Sequence, residues 1–212
     1  MPRSILFDLD GTLSDSGEGI MNCAAFALEQ LGLPVPPPQS LRLFVGPPLG
    51  DMFQRFGVRA DQVDEAIRLY RSRYLPIGQY ENYLYPGITD LLKRLQAEGH
   101  HLYVATSKPE TTAISVMKHF GIDGFFRIIA GATMDSSRET KSQVIAYLLD
   151  QIGSITDAIM VGDTAYDVIG AAEHGIPTVG VSWGYGETAD MEKAGAKAIA
   201  HTMDELYDLL TK

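Results

Sequence analysis

Asp8 and Asp10 stand two residues apart, directly after the apolar run Ser4-Ile5-Leu6-Phe7. On an extended chain that spacing points both carboxylates the same way. Asp163 and Asp167 follow a second apolar run, Ala158-Ile159-Met160-Val161, and lie one helical turn apart. Thr106 and Ser107 follow a third, Leu102-Tyr103-Val104-Ala105. Short apolar runs of this kind, stopped by turn residues, suit buried strands. In open α/β sheets ligands bind just outside the carboxyl ends of the strands. Four carboxylates and two hydroxyls are therefore expected at one end of a sheet. Like charges at close range raise one another's pKa, so the cluster calls for a cation. An all-oxygen donor set favours a hard ion, and Mg²⁺ is the expectation.

Positioning these residues requires alternating elements, and the sequence supplies them from residue 84 onward. Helices are expected at Leu91/Leu92/Leu95 up to Gly99, at Ile114/Met117/Phe120 up to Gly121, and at Val144/Ile145/Leu148/Leu149. Others are expected at Val168/Ala171/Ala172 up to Gly175 and at Met203/Leu206/Leu209/Leu210. Strands are expected at 102–105, stopping at Thr106, and at 127–130, 158–161 and 178–181. Strand and helix alternating in this way indicate a doubly wound, mostly parallel, Rossmann-like sheet. Between residues 14 and 83 no strand pattern stands out. Ile20, Cys23, Ala24, Ala27, Leu28 and Leu31 share one helix face, ending at Gly32. Pro34, Pro36, Pro37 and Pro38 form a stiff connector. Asp61 is placed to cap a helix bearing Val63, Ala66, Ile67, Tyr70 and Tyr74. The expected organisation is an α/β core of residues 1–14 and 84–212, with an inserted α-helical cap domain of residues 15–83.

Composition narrows the partners. The 212 residues carry 17 Lys and Arg against 27 Asp and Glu, a net charge of −10. Nucleic acid and anionic membranes want a positive face, so neither is the expected partner. An anionic small molecule stays open wherever a local cation meets it. Cys23 is the one cysteine, which excludes an intrachain disulfide and a cysteine-rich zinc site. No apolar run reaches membrane-spanning length, and the first residues lack a secretory pattern. A cytoplasmic protein, monomer or homodimer, is expected.

The ordered motifs resemble the haloacid dehalogenase superfamily. Asp8-Leu9-Asp10-Gly11-Thr12 is similar to its DxDGT motif, Thr106 to its strand-closing Ser or Thr, Lys141 to its helix-start Lys, and Gly162-Asp163 to Asp167 to its GDxxxD. The resemblance implies Asp8 as the nucleophile that forms an aspartyl-phosphate. It implies Asp10 as the acid, and then the base, for the two half-reactions. Thr106 would bind a phosphoryl oxygen and Lys141 would neutralise its charge, with Arg138 or Lys108 as stand-ins. Mg²⁺ would be held by Asp8, the Asp10 carbonyl and Asp163, while Asp167 more naturally orients that set than joins it. Asp10 separates phosphoryl transfer from dehalogenation, because a halide leaves without a proton.

The helical segment resembles caps of the phosphoglycolate phosphatase group at Phe44-Val45-Gly46-Pro47-Pro48-Leu49 and Tyr70-Arg71-Ser72-Arg73-Tyr74. Thr106-Ser107-Lys108-Pro109 is similar to that group's TNKP. Gly46, Arg71 and Ser107 thereby join the expected substrate-binding residues, although Arg71, Arg73 and Arg42 suit a solvated surface better than a substrate clamp. The implied activity is a phosphatase acting on a small phosphorylated metabolite. Phosphoglycolate leads, with 5′-nucleotidase and β-phosphoglucomutase-like phosphomutase as alternatives. A receiver-like phosphoaspartate signalling module is the rival from another class. Cys23 reads as a core residue and the five histidines as scattered. Trp183-Gly184-Tyr185-Gly186 has two readings, a segment flanking the pocket and a plain glycine-rich loop, of which the plain loop is the expectation.

Overall fold

The computed structural model describes residues 2–135, 137–153, 155 and 157–212. Met1, the first residue of the expected core, lies outside them. The chain clusters into two compact units, Met1–Ser14 with Leu84–Lys212, and Asp15–Tyr83.

The larger unit is built on a six-stranded parallel sheet. Its strands are β1 (Ser4–Phe7), β4 (His101–Pro109), β5 (Ile128–Ala132), β6 (Ala158–Gly162), β7 (Thr178–Val181) and β8 (Ala198–Ala200), in the order β5-β4-β1-β6-β7-β8. Both faces are covered, which is why the strands read as unbroken apolar runs rather than alternating ones. Along β1 the side chains alternate between two cores. Ile5 and Phe7 join α5 (Ile88–Ala97), α6 (Glu110–Phe120) and α10 (Met203–Thr211) through Leu92, Leu95, Val116, Met117, Leu206 and Leu210. Leu6 joins α7 (Lys141–Ile152) and α8 (Ala165–Ala172) through Val144, Ile145, Leu148 and Ala171. The doubly wound α/β architecture is thus the one the sequence pattern implies.

The smaller unit is helical, with α1 (Gly17–Gln30), α2 (Pro38–Leu41), α3 (Leu49–Arg55) and α4 (Val63–Tyr74). Its centre is aromatic: Phe44 lies 5.1 Å from both Phe53 and Phe56, and Tyr70 stacks on Tyr74. Two-residue strands β2 (Ser14–Asp15) and β3 (Tyr83–Leu84) pair where the chain passes between the units.

Several local expectations are corrected. Pro38 is not part of a bare connector; it opens α2, where its missing N–H costs nothing. Asp61 does not cap α4, because it sits one short turn earlier, paired with Arg59. β4 does not stop at Thr106 but runs on to Pro109 after a register shift. α9 (Thr188–Ala194) and β8 were not foreseen. Both are short, α9 with Met191 as its one buried residue and β8 as Ala-Ile-Ala, so they carry little periodic signal.

Candidate active site

The sheet register brings the motifs together. Phe7 pairs with Val104 on one side and with Val161 on the other. The residues that follow these three, from Asp8, Ala105 and Gly162 onward, therefore emerge side by side. The Asp8 backbone N–H donates to the Val161 carbonyl at 2.9 Å, which holds the turn into line.

Lys141 is the first residue of α7, behind the cap Thr140, whose side chain accepts from the Gln143 N–H. A cation at a helix N-terminus opposes the helix dipole. What compensates it lies at its tip. Nζ sits 2.9 Å from Asp8 Oδ1 and 2.7 Å from Asp167 Oδ1, and donates to the Ala105 carbonyl at 2.9 Å. Burial lowers the affinity of this amine for its proton, but Asp167 and Asp8 together outweigh that and raise its pKa. Lys141 stays charged. Arg138, considered as its stand-in, instead pairs with Glu110 and the Gly131 carbonyl.

Asp163 is fully buried. Its Oδ1 accepts from the Thr12 hydroxyl at 3.2 Å and its Oδ2 from the Tyr185 N–H at 2.8 Å. Asp167 Oδ2 accepts from the backbone N–H and the hydroxyl of Thr164, at 3.0 and 2.9 Å. Burial first, then the neighbouring carboxylates Asp167 and Asp8, push Asp163 up to about 8. Burial also pushes Asp8 up to about 6, with Lys141 opposing and Asp167 assisting.

Thr106 is buried beside Asp8, and its hydroxyl also accepts from the Lys108 N–H at 3.2 Å. Ser107 is half-buried in the irregular stretch of β4. Asp10 bridges Ser14, and both its oxygens accept from Lys108 Nζ, at 2.9 and 2.8 Å. Sequence reasoning placed Lys108 in the TNKP-like segment and gave it no role beyond a substitute for Lys141; the two amines instead serve different carboxylates.

The loop at 183–186 is not the plain loop expected from its glycines. Trp183 Nε1 donates to the Thr12 carbonyl at 3.1 Å, and Tyr185 holds Asp163. A Cβ at Gly184 would stand 2.3 Å from the Asp163 Cβ, so only glycine permits this approach. The one sequence signal was the pair of glycines flanking an aromatic directly after a strand.

Gly46 and Arg71 belong to the helical unit. Gly46 is exposed, with φ +103° in the turn before α3, and Arg71 is half-buried on α4. Arg73, the other arginine of that stretch, pairs with Glu81 through two 2.8 Å bonds and so is occupied within its own unit.

The donor set suits a metal. Carboxylate oxygens of Asp8, Asp163 and Asp167 lie within 4.8 Å of one another, all buried. With Asp10, four carboxylates face the two amines of Lys108 and Lys141, leaving a formal excess of two negative charges. A doubly charged hard cation matches both the charge and the oxygen donors.

Fold and site together define a doubly wound α/β protein with an acidic, cation-ready centre at the sheet's carboxyl edge. Residues 5–181 match the family model of haloacid dehalogenase-like hydrolases. The chain belongs to that family and is one of its phosphatase-type enzymes. This membership sets aside the receiver-like alternative.

Among relatives, the tyrosine-protein kinase PtkA of Mycobacterium tuberculosis is 42% identical over 212 residues, 99% of this chain and 72% of that protein. A 5′-nucleotidase of Pseudomonas aeruginosa is 41% identical over 190 residues, 89% of this chain and 86% of its own length. A phosphoglycolate phosphatase of Rhodospirillum rubrum is 32% identical over 222 residues, 99% and 91% of the two chains. A crystal structure of a predicted phosphatase from Clostridium acetobutylicum superposes with a TM-score of 0.93 at 38% identity, covering 99% and 98% of the chains.

Proposed function

We propose that the protein is a Mg²⁺-dependent phosphatase that hydrolyses a small phosphomonoester through an aspartyl-phosphate on Asp8. The observation that carries this reading is the buried Asp8 carboxylate, 2.9 Å from an ammonium group and beside a second acid that Lys108 holds by both oxygens. Asp8 attacks phosphorus, the ester P–O bond breaks, and its electron pair leaves with the alkoxide oxygen. Asp10 supplies the proton to that oxygen and the alcohol departs. Water then attacks the acyl-phosphate and gives its proton to Asp10. The bond to Asp8 breaks and phosphate leaves. Thr106 and Ser107 would donate to the phosphoryl oxygens, and Lys141 offsets their charge. Mg²⁺ would be held by Asp8, Asp163 and the Asp10 carbonyl, while Asp167, engaged by Lys141 and Thr164, orients the set. Its contribution when bound is to offset charge on the phosphoryl group.

The helical unit fits the role of a cap that selects substrate, with Gly46 and Arg71 as its contacts. On the sequence alone phosphoglycolate leads. The higher identity to a 5′-nucleotidase, 41% against 32%, supports placing a nucleoside 5′-monophosphate first. The single free, buried Cys23 is compatible with a cytoplasmic setting.

Hydrolysis of p-nitrophenyl phosphate should stop in EDTA and return with Mg²⁺. Asp8→Asn should abolish the acid-stable, base-labile phosphoenzyme; a phosphoenzyme that persists in this variant would refute the assignment. A panel of nucleoside monophosphates, phosphoglycolate and β-glucose 1-phosphate ranks the substrates. A tyrosine peptide with ATP belongs in the same panel because of the PtkA relative.

A further inference from the structure

The roles implied by the motifs account for Asp8, Asp10, Thr106, Lys141, Asp163 and Asp167, but give none of its own to a second buried amine. Lys108 has only 4% of its side chain exposed, and its Nζ meets both oxygens of Asp10, at 2.9 and 2.8 Å. Burying a lysine is costly unless it is paired, so its placement calls for a reason. The local backbone is shaped to deliver it. β4 pairs with β5 as far as Thr106↔Gly131, then resumes at Pro109↔Ala132, so one extra stretch of chain bulges out between them. Bulges re-aim side chains. The Thr106 hydroxyl accepts from the Lys108 N–H and ties the bulge down. On the partner strand, a Cβ at Gly131 would stand 2.6 Å from the Lys108 carbonyl oxygen, so glycine is what lets β5 pass this close.

We propose that Lys108 is a positioning residue for Asp10, fixing the carboxyl group that passes the proton to the leaving alcohol and takes it from water. This rests on the phosphatase reading above. An amine that grips both oxygens removes the side chain's rotational freedom and aims it at one point. Misplacing such a group by an ångström can cost on the order of a hundredfold in rate. The proton balance is unchanged by Lys108, which keeps its own protons. Asp10 still gives one to the alcohol and regains one from water.

Acting through a general acid leaves a signature that a merely structural residue lacks. An alkoxide needs its proton as the P–O bond breaks, whereas p-nitrophenolate leaves without one. The full chain with Mg²⁺ is therefore assayed in single turnover for alcohol release from an alkyl phosphate and from p-nitrophenyl phosphate. Lys108→Met should slow alkyl alcohol release by about ten- to a hundredfold. It should slow p-nitrophenol release by clearly less, with little change in KM for either ester. Lys108→Arg should restore much of the difference. Added to Asp10→Asn, Lys108→Met should cost little more, because the residue it aims is already gone. Equal losses on both esters, a rise in KM without loss of rate, or additive losses with Asp10→Asn would each overturn the proposal. If Lys108→Met melts below the assay temperature, Lys108→Gln carries the same comparison. Failure of the phosphatase reading would look different: the wild type itself would release neither alcohol, or Asp8→Asn would release both.

Discussion

Asp8 and Asp163 carry a pH dependence whose sign is fixed by their surroundings. Both are raised from 3.8 chiefly by burial, Asp8 to about 6 against the pull of Lys141 and Asp163 to about 8 with the push of Asp167 and Asp8. Between the unfolded and folded values the folded chain holds protons that the unfolded chain has released. That contribution to stability is complete below about 3.8 and is lost as the pH rises through 6 and on toward 8. A divalent cation competes with those protons for the same oxygens, so it binds more strongly as the pH rises. In EDTA the melting temperature should fall between about pH 5 and pH 8, and the increment from Mg²⁺ should be larger at pH 8. An increment that does not change with pH would mean the cation binds elsewhere. At this scale the sequence was most legible: Asp8, Asp10, Asp163 and Asp167 are distinguished by type and by strand-end position alone. Lys108 was not, because its role depends on a bulge and on a glycine in the neighbouring strand.

The elements show why some of the site stayed hidden. The helix starts that carry Lys141 and Asp167 follow from capping residues, and α7 and α8 lie where their apolar periodicity puts them. Removing the hydroxyl in Thr164→Ala deletes one of the two bonds that hold Asp167 Oδ2 and should cost about 1 kcal/mol in a denaturant melt. The loop after β7 has no period to read, yet it supplies the Tyr185 N–H to Asp163 and anchors Trp183 on Thr12. Gly184→Ala would force its new methyl against Asp163. Weaker Mg²⁺ binding, by about tenfold in titration calorimetry, is the expected result, with the melt in EDTA changed much less. Unaltered Mg²⁺ affinity would remove this loop from the site. β8 and α9 escaped for the same compositional reason: Ala198-Ile199-Ala200 is too short and too small to announce a strand.

For the whole molecule the decisive fact is that β1 lies inside the sheet, between β4 and β6, although the helical unit separates it in sequence from the rest. A chain of residues 84–212 would lack a central strand and expose two bare edges, so it should show no cooperative melt. A two-state transition for that fragment would contradict the dependence. No helix among the described residues is long and apolar enough to cross a membrane.

The position of β1 also sets an order in time. Thr12 and its partner Asp163 are 151 positions apart. At ordinary rates of protein synthesis that gap takes on the order of ten to thirty seconds to cross. For most of that interval the nascent chain carries Asp8 and Asp10 without Lys141, and for all of it without Asp163, the groups that surround Asp8 in the folded chain. The arrangement of Asp8, Lys141, Asp163 and the Tyr185 N–H can therefore close only after synthesis has passed residue 185.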